Sequence, residues 1–284
     1  MRRLALILAL ALLPLLNGCA RNHFNIPQDR IAESVKVLGV APIFIDGDSD
    51  IRHPQRDELI TLVSAQNRRN EGHLLRLIKD STSFYKVTML EADSKALFSE
   101  LLARRERRDD AAIQYNKYFW KAEPLQELIR KNSLDALMVV VVSGITRPEK
   151  ISSSNLLETL EADYNYLIMT AQIIDSKGTI LWEYPNFRTR ILSYRPLMNL
   201  QYPNFDEARA NTSSQVQIKF KTLEGIKRAL DKRRQDFLLR ETNEVELYFD
   251  QFEAINSLLK IDREQKPAQA ADAPKPAPVA GQQP

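Results

Sequence analysis

Cysteine is nearly absent from this chain of 284 residues: there is one, Cys19. A single thiol cannot close an intramolecular disulfide. With only three histidines, His23, His53 and His73, the Cys/His ligand sets of zinc sites also run short of donors, so no metal or other cofactor is expected. Glycine is scarce and scattered, eight residues in all, which leaves no phosphate-cradling loop and no Gly-x-Ser-x-Gly elbow to present a nucleophile. No catalytic residue is assigned, and the chain is read as non-enzymatic. Neither sign of charge is in marked excess. Lys and Arg total 40 against 37 Asp and Glu, a balance that supplies no field to draw in nucleic acid. No apolar run reaches the roughly 20 residues of a spanning helix; the longest one away from the amino terminus, "ALMVVVV", covers Ala136 to Val142. With 44% hydrophobic residues the chain can still bury a sizeable core by packing alone.

At the amino terminus, Arg2 and Arg3 precede "LALILALALLPLL", an apolar run of about a dozen residues, the length of a secretory h-region. It leads into Leu16-Asn17-Gly18-Cys19, which resembles the lipobox of bacterial lipoproteins: an aliphatic residue three before the cysteine and a small one just before it. Asn17 is a less usual occupant of its position. The resemblance implies cleavage before Cys19, diacylation of its thiol and acylation of the new amino terminus. Several acyl chains would hold the protein at a membrane almost irreversibly, each buried CH₂ adding about 0.8 kcal/mol. Ala20 is not the aspartate that the resemblance associates with inner-membrane retention. The expected address is therefore the outer membrane, facing the periplasm. Residues 1–18 are read as the leader and 19–34 as a polar tether.

Hydrophobic periodicity organises the rest. "VKVLGVAPIFID" predicts a strand that is apolar on both faces, and Leu59, Leu62, Val63, Leu74, Leu75, Leu77 and Ile78 predict a helical stretch interrupted at "NRRNEGH". "FYKVTML" reads as a short strand. Asp93 is placed to cap a helix, "SKALFSELLARRERR", and Leu125, Leu128 and Ile129 mark another that starts near Pro124. "SLDALMVVVVSGI" is the strongest strand, followed by "ADYNYLIMTAQIID", the turn "DSKG" and its hairpin partner "TILWEY". The expectation is an α/β fold, a mixed sheet of about five strands flanked by helices, across residues 35–212. A helical tract follows over 213–264, either one helix or two broken near Thr242 and Asn243. Residues 265–284 read as a disordered Pro/Ala-rich tail.

"GVAPIFI", Leu134-Asp135-Ala136 with the strand after it, and Asp175 to Gly178 with Trp182 resemble a pattern shared by three envelope proteins. These are the curli-secretion lipoprotein, the penicillin-binding-protein activator lipoproteins and the amino-terminal domain of the Tol-Pal translocation protein. The resemblance implies a mixed sheet flanked by helices over about residues 35 to 185. It does not extend to the insert "RRERRDDAAIQYNKYFW" or past Pro185, and no alternating lipid-facing hairpin supports a pore.

Three constellations stand out. Asp46, Asp48 and Asp50 alternate as in a calcium loop, but Ile51 sits where an EF-hand needs glycine and Asp57 where it needs glutamate, so a polar turn is the better account. Arg104, Arg105, Arg107 and Arg108 form a basic run able to meet lipid phosphates or a partner's acidic face, or to be solvated beside Glu106, Asp109 and Asp110. Tyr-Pro-Asn-Phe occurs twice, Tyr184 to Phe187 and Tyr202 to Phe205, and each copy offers two aromatic rings, for a ligand or for fastening a loop. The expectation from these readings is a non-enzymatic, lipid-anchored periplasmic binding module that supports cell-envelope assembly or maintenance. Its partners would be the membrane, through the acyl chains, and an envelope protein or peptidoglycan-associated partner. The alternative is a structural subunit of an export or secretion assembly, oligomerising through the carboxy-terminal helices.

Overall fold

The computed structural model describes residues 23–111, 113–152, 159–186, 194–204 and 217–259. Cys19, Phe187, Phe205 and the Pro/Ala-rich tail lie outside them. Within the described residues the chain is mixed α/β, with six helices around one seven-stranded mixed sheet.

The sheet is built on two long strands, β6 (Ala136–Ser152) and β7 (Thr159–Asp175), paired antiparallel along their whole length. On one side β6 pairs in parallel with β1 (Val37–Val40), which pairs in parallel with β3 (Lys86–Met89). On the other side β7 pairs with β8 (Ile180–Tyr184), giving the order β3-β1-β6-β7-β8. The first predicted strand is in fact two. β1 ends before Pro42, whose ring nitrogen cannot donate to a ladder, and β2 (Phe44–Asp46) resumes on β6. The hairpin turn is as the sequence predicts: Gly178 takes φ 80°, and the Asp175 carboxylate accepts from the Lys177 and Thr179 amides.

Strand β6 is central because both its faces are apolar. Ala136, Met138, Val140 and Val142 look into one core, where Leu167, Met169, Ala171 and Ile173 of β7 join them. Leu137, Val139 and Val141 look into the other. The first core is covered by α1 (Gln28–Ser34), α2 (Arg56–Ser81), α5 (Leu223–Asp231) and α6 (Glu246–Leu258) through Ile31, Leu59, Val63, Ile226, Tyr248 and Phe252. The second is covered by α3 (Ser94–Leu101), α4 (Ala122–Lys131) and a hairpin of β4 (Leu102–Arg108) and β5 (Tyr115–Trp120).

Several expectations need correction. The end of the polar tether is ordered: Phe24 is buried and bridges to Trp182, and α1 follows. α2 runs unbroken through "NRRNEGH", because Asn67 and Asn70 find buried partners in the Tyr248 hydroxyl (2.6 Å) and the Gln66 carbonyl (2.8 Å). Those bonds offset the roughly 1 kcal/mol that Gly72 costs a helix. Asp93 does cap α3, accepting from the Ala96 amide at 2.7 Å, but the helix ends at Leu101 and the arginine run is a strand. Its partner strand is Tyr-, Phe- and Trp-rich, which favours pairing over helix. The carboxy-terminal tract is two short helices separated by a hairpin of β12 (Arg233–Gln235) and β13 (Glu241–Val245). Its apolar row of Ile226, Leu230, Phe252 and Ile255 belongs to the chain's own core, so that row is not free to form a seam between subunits. Short strands β9 (Met198–Asn199), on β7, and β10 (Gln201–Asn204) with β11 (Gln217–Phe220) complete the fold.

Candidate functional site

The arginine run is internally engaged. Arg105 reaches under the hairpin to Asp46, at 2.6 Å, and the Tyr118 hydroxyl donates to the same carboxylate oxygen at 2.9 Å. Asp46 is 2% exposed while the Arg105 side chain is 33% exposed, so a buried carboxylate meets a guanidinium that reaches in from the surface; burial lowers the guanidinium pKa, and the partner carboxylate more than offsets that and holds it above its ordinary value. Arg107 bonds Asp109 (2.6 Å) and the Thr146 carbonyl (2.7 Å), Arg108 pairs with Asp110 (2.7 Å), and Arg104 pairs with Glu106 while lying 3.7 Å over the Phe119 ring. Beside them Lys117 pairs with the buried Glu183 at 2.8 Å. Of the readings open for this run, lipid phosphates, a partner's acidic face or its own acids, the structure shows each of the four arginines beside a carboxylate of the chain itself.

The aspartate loop is likewise committed. Asp46 serves Arg105, and Asp50 pairs with Arg52 at 2.7 Å. Among the described residues no cluster of His, Cys, Asp and Glu is arranged to hold a metal.

The repeated tetrapeptides part company. Tyr184 ends β8 and is 2% exposed, its ring tilted against Tyr194 at 5.7 Å, and burial raises its phenol pKa. It is a core residue and presents nothing to solvent. Tyr202 stands 41% exposed in β10, opposite Lys219 of β11, on a two-stranded ribbon. Phe187 and Phe205 fall outside the described residues.

One concave surface among the described residues was not visible from any motif. A cleft of about 400 Å³ opens between α2 and the β12–β13 hairpin. One wall is a stripe of α2 at spacings of three and four: Gln66, Arg69, Asn70, His73 and Arg76. The other is Asp231 at the end of α5, then Arg233, Asn243 and Glu244. Polar bonds tie the walls together: Gln66 Nε2 donates to Asp231 Oδ1 at 2.6 Å, and Arg69 lies 3.7 Å from the same oxygen.

His73 sits at the floor, 7% exposed, with Nε2 3.3 Å from Glu244 Oε1. Its ring stacks on Phe249 and meets Phe252 edge-on, both at 5.7 Å. Glu244 also binds Arg234 at 3.1 Å, and Arg234 lies 3.9 Å over the outer part of this aromatic layer, on Phe249. Desolvation lowers the His73 pKa, more than the nearby Glu244 raises it, and Arg76 and Arg234 lower it further. The imidazole is thus neutral near pH 7. The cleft lining carries carboxylates, guanidinium groups and carboxamides beside the imidazole, and no hydroxyl, thiol or primary amine. What the walls offer is hydrogen bonds and charges of both signs. Sequence reasoning noted His73 only as one of three histidines. Its partners stand about 170 residues away, and only the helical spacing of Arg69, His73 and Arg76 hinted at a shared face.

No protein-family model and no curated protein matches the chain. Among solved structures, a neuraminyllactose-binding hemagglutinin homolog from Helicobacter pylori is 10% identical, over 85% of this chain and 90% of that one, at a TM-score of 0.32. The PelC dodecamer from Paraburkholderia phytofirmans is also 10% identical, over 53% and 68%, at a TM-score of 0.22. Likeness this distant carries no functional argument.

Proposed function

We propose that the chain is a non-enzymatic binding module, held by acyl chains on Cys19 at the periplasmic face of the outer membrane, that docks an envelope partner in the cleft between α2 and the β12–β13 hairpin. The observation that carries the reading is the lining of that cleft: arginine, carboxylate and carboxamide groups around a neutral imidazole. Such walls suit a polar segment bearing both signs of charge, as an envelope protein or a peptidoglycan-associated partner presents. Lipobox and cleft divide the work, one fixing the address and the other the partner.

Two measurements test the two halves. Clickable fatty acid should label the native chain and leave Cys19→Ser unlabelled; a labelled variant would remove the anchor. A photo-crosslinking residue placed at Arg76 or Asn243 should trap one defined envelope component, whereas one at Tyr85, exposed but outside the cleft lining, should not. Equal trapping from all three positions, or none from the cleft, would overturn the assignment of the cleft, and turnover of an envelope substrate would overturn the non-enzymatic reading.

A further inference from the structure

Five large apolar side chains are exposed among the described residues, and three of them are consecutive: Phe237 (90%), Leu238 (55%) and Leu239 (76%). They form the tip between β12 and β13, beyond the cleft-lining part of the hairpin. Leu239 adopts φ 61°, the left-handed region where glycine or asparagine is at ease and a γ-branched L-residue is not. An exposed leucine is therefore kept against the preference of its own backbone.

Much of the backbone at the base of this tip is bonded within the turn. The Asp236 amide donates to the Arg240 carbonyl and the Leu239 amide to the Asp236 carbonyl, both at 2.9 Å. Asp236 Oδ1 accepts from the Leu238 amide (2.8 Å) and the Arg240 amide (3.0 Å), while Oδ2 pairs with the Arg240 guanidinium at 2.7 Å. Four amides and the charges of Asp236 and Arg240 are satisfied internally, which lowers the cost of bringing the turn where water is thin.

We propose that this tip inserts Phe237, Leu238 and Leu239 into the headgroup–acyl boundary of a lipid bilayer, as a membrane contact additional to the amino-terminal anchor. Two considerations select lipid over protein. Three side chains on a convex turn fall far short of the roughly 800 Å² per partner that a stable protein interface buries, whereas a bilayer boundary needs no complementary shape. Residues 232–246 carry four basic and four acidic side chains, so adhesion is apolar and independent of anionic lipid. The inference does not depend on acylation of Cys19, because the contact is read at the tip itself.

The full chain carrying Phe237→Trp tests it with phosphatidylcholine vesicles whose acyl chains are brominated. The native indoles, Trp120 and Trp182, are 8% and 0% exposed and out of a lipid quencher's reach. The variant's emission should shift to the blue and be quenched by the brominated acyl chains, equally with and without added phosphatidylglycerol and at high salt. Adding Leu238→Ser and Leu239→Ser should lower vesicle partitioning of the tip by more than about tenfold while leaving the thermal midpoint unchanged. An unquenched, water-exposed indole in vesicle-bound protein would overturn the proposal. So would quenching abolished by salt, or a concentration-dependent blue shift without vesicles, the mark of docking onto a second copy.

Discussion

Two hairpins rich in arginine project from the same fold, and their fates differ. In β4–β5, the run Arg104 to Arg108 lies across the sheet, where Arg105 meets Asp46 and neighbouring Lys117 meets Glu183, both acids 2% exposed. In β12–β13, Arg234 and Arg240 pair with Glu244 and Asp236 near the surface, and the turn beyond them is apolar and bare. Composition does not distinguish the two. What does is depth: a basic side chain over buried carboxylates becomes structural, and one at a rim is left to shape a surface.

The comparison breaks hardest at Lys117. Lys117→Met strands the Glu183 carboxylate in the interior, and removing one partner of a buried pair costs about 3–5 kcal/mol. Chemical denaturation should show that loss, and Lys117→Met with Glu183→Gln should recover most of it, because the charge needing a partner is gone. A single variant as stable as the native chain would mean the pair is hydrated and the hairpin is not fastened by charge. Arg234→Met is the matched change in the other hairpin. Its pair with Glu244 is partly exposed and its stack on Phe249 lies at the surface. A loss near or below about 1 kcal/mol is expected by the same measurement; a loss as large as at Lys117 would erase the distinction between the two hairpins.

This contrast also explains what could be read in advance. Strands β6, β7 and β8 and the Asp175–Gly178 turn were legible, because a run of β-branched residues with no polar interruption has nowhere to go but between two covered faces. The Asp93 cap of α3 and the apolar spacing of α3 and α4 were legible for a similar, local reason. The arginine strand was not: "ARRERR" has fair helical propensity, and only its pairing with Tyr115 to Trp120 makes it extended. The helical row from Leu223 to Leu259 hid a hairpin for the same reason, since residues spaced by threes and fours on both sides of it point into one core. The cleft needed α2 and β13 side by side, a contact that no local pattern encodes.

His73 sharpens the comparison by pH. Its pKa is lowered in the folded chain, mainly by burial, although Glu244 and Glu253 oppose that and Arg76 and Arg234 add to it. The folded state therefore binds the imidazole proton less readily than the unfolded state does. Stability contributed by the neutral ring is present above about pH 6.5 and is lost as pH falls from there toward the lowered folded value. A His73→Gln variant should lack this loss, so the difference between the two stability profiles should grow below pH 6.5 and flatten once the folded ring titrates. Parallel profiles would mean that the ring is solvated and that the hairpin does not close over it.

The smallest effect is the most telling about the tip. At Leu239, a glycine would relieve the left-handed strain yet add freedom to the unfolded chain, two terms of comparable size and opposite sign. Leu239→Gly should therefore leave stability within about 1 kcal/mol of native, on either side, where an ordinary exposed leucine in extended backbone would be destabilised by the same change. Leu239→Asn separates the terms, since asparagine tolerates φ above zero without glycine's added entropy, and a rise of a few tenths of a kcal/mol is expected. A gain in thermal midpoint for Leu239→Asn would establish that the native chain forgoes stability to keep an apolar side chain at that point. A clear loss would instead show that Leu239 packs against its neighbours and that the hairpin tip is part of the fold.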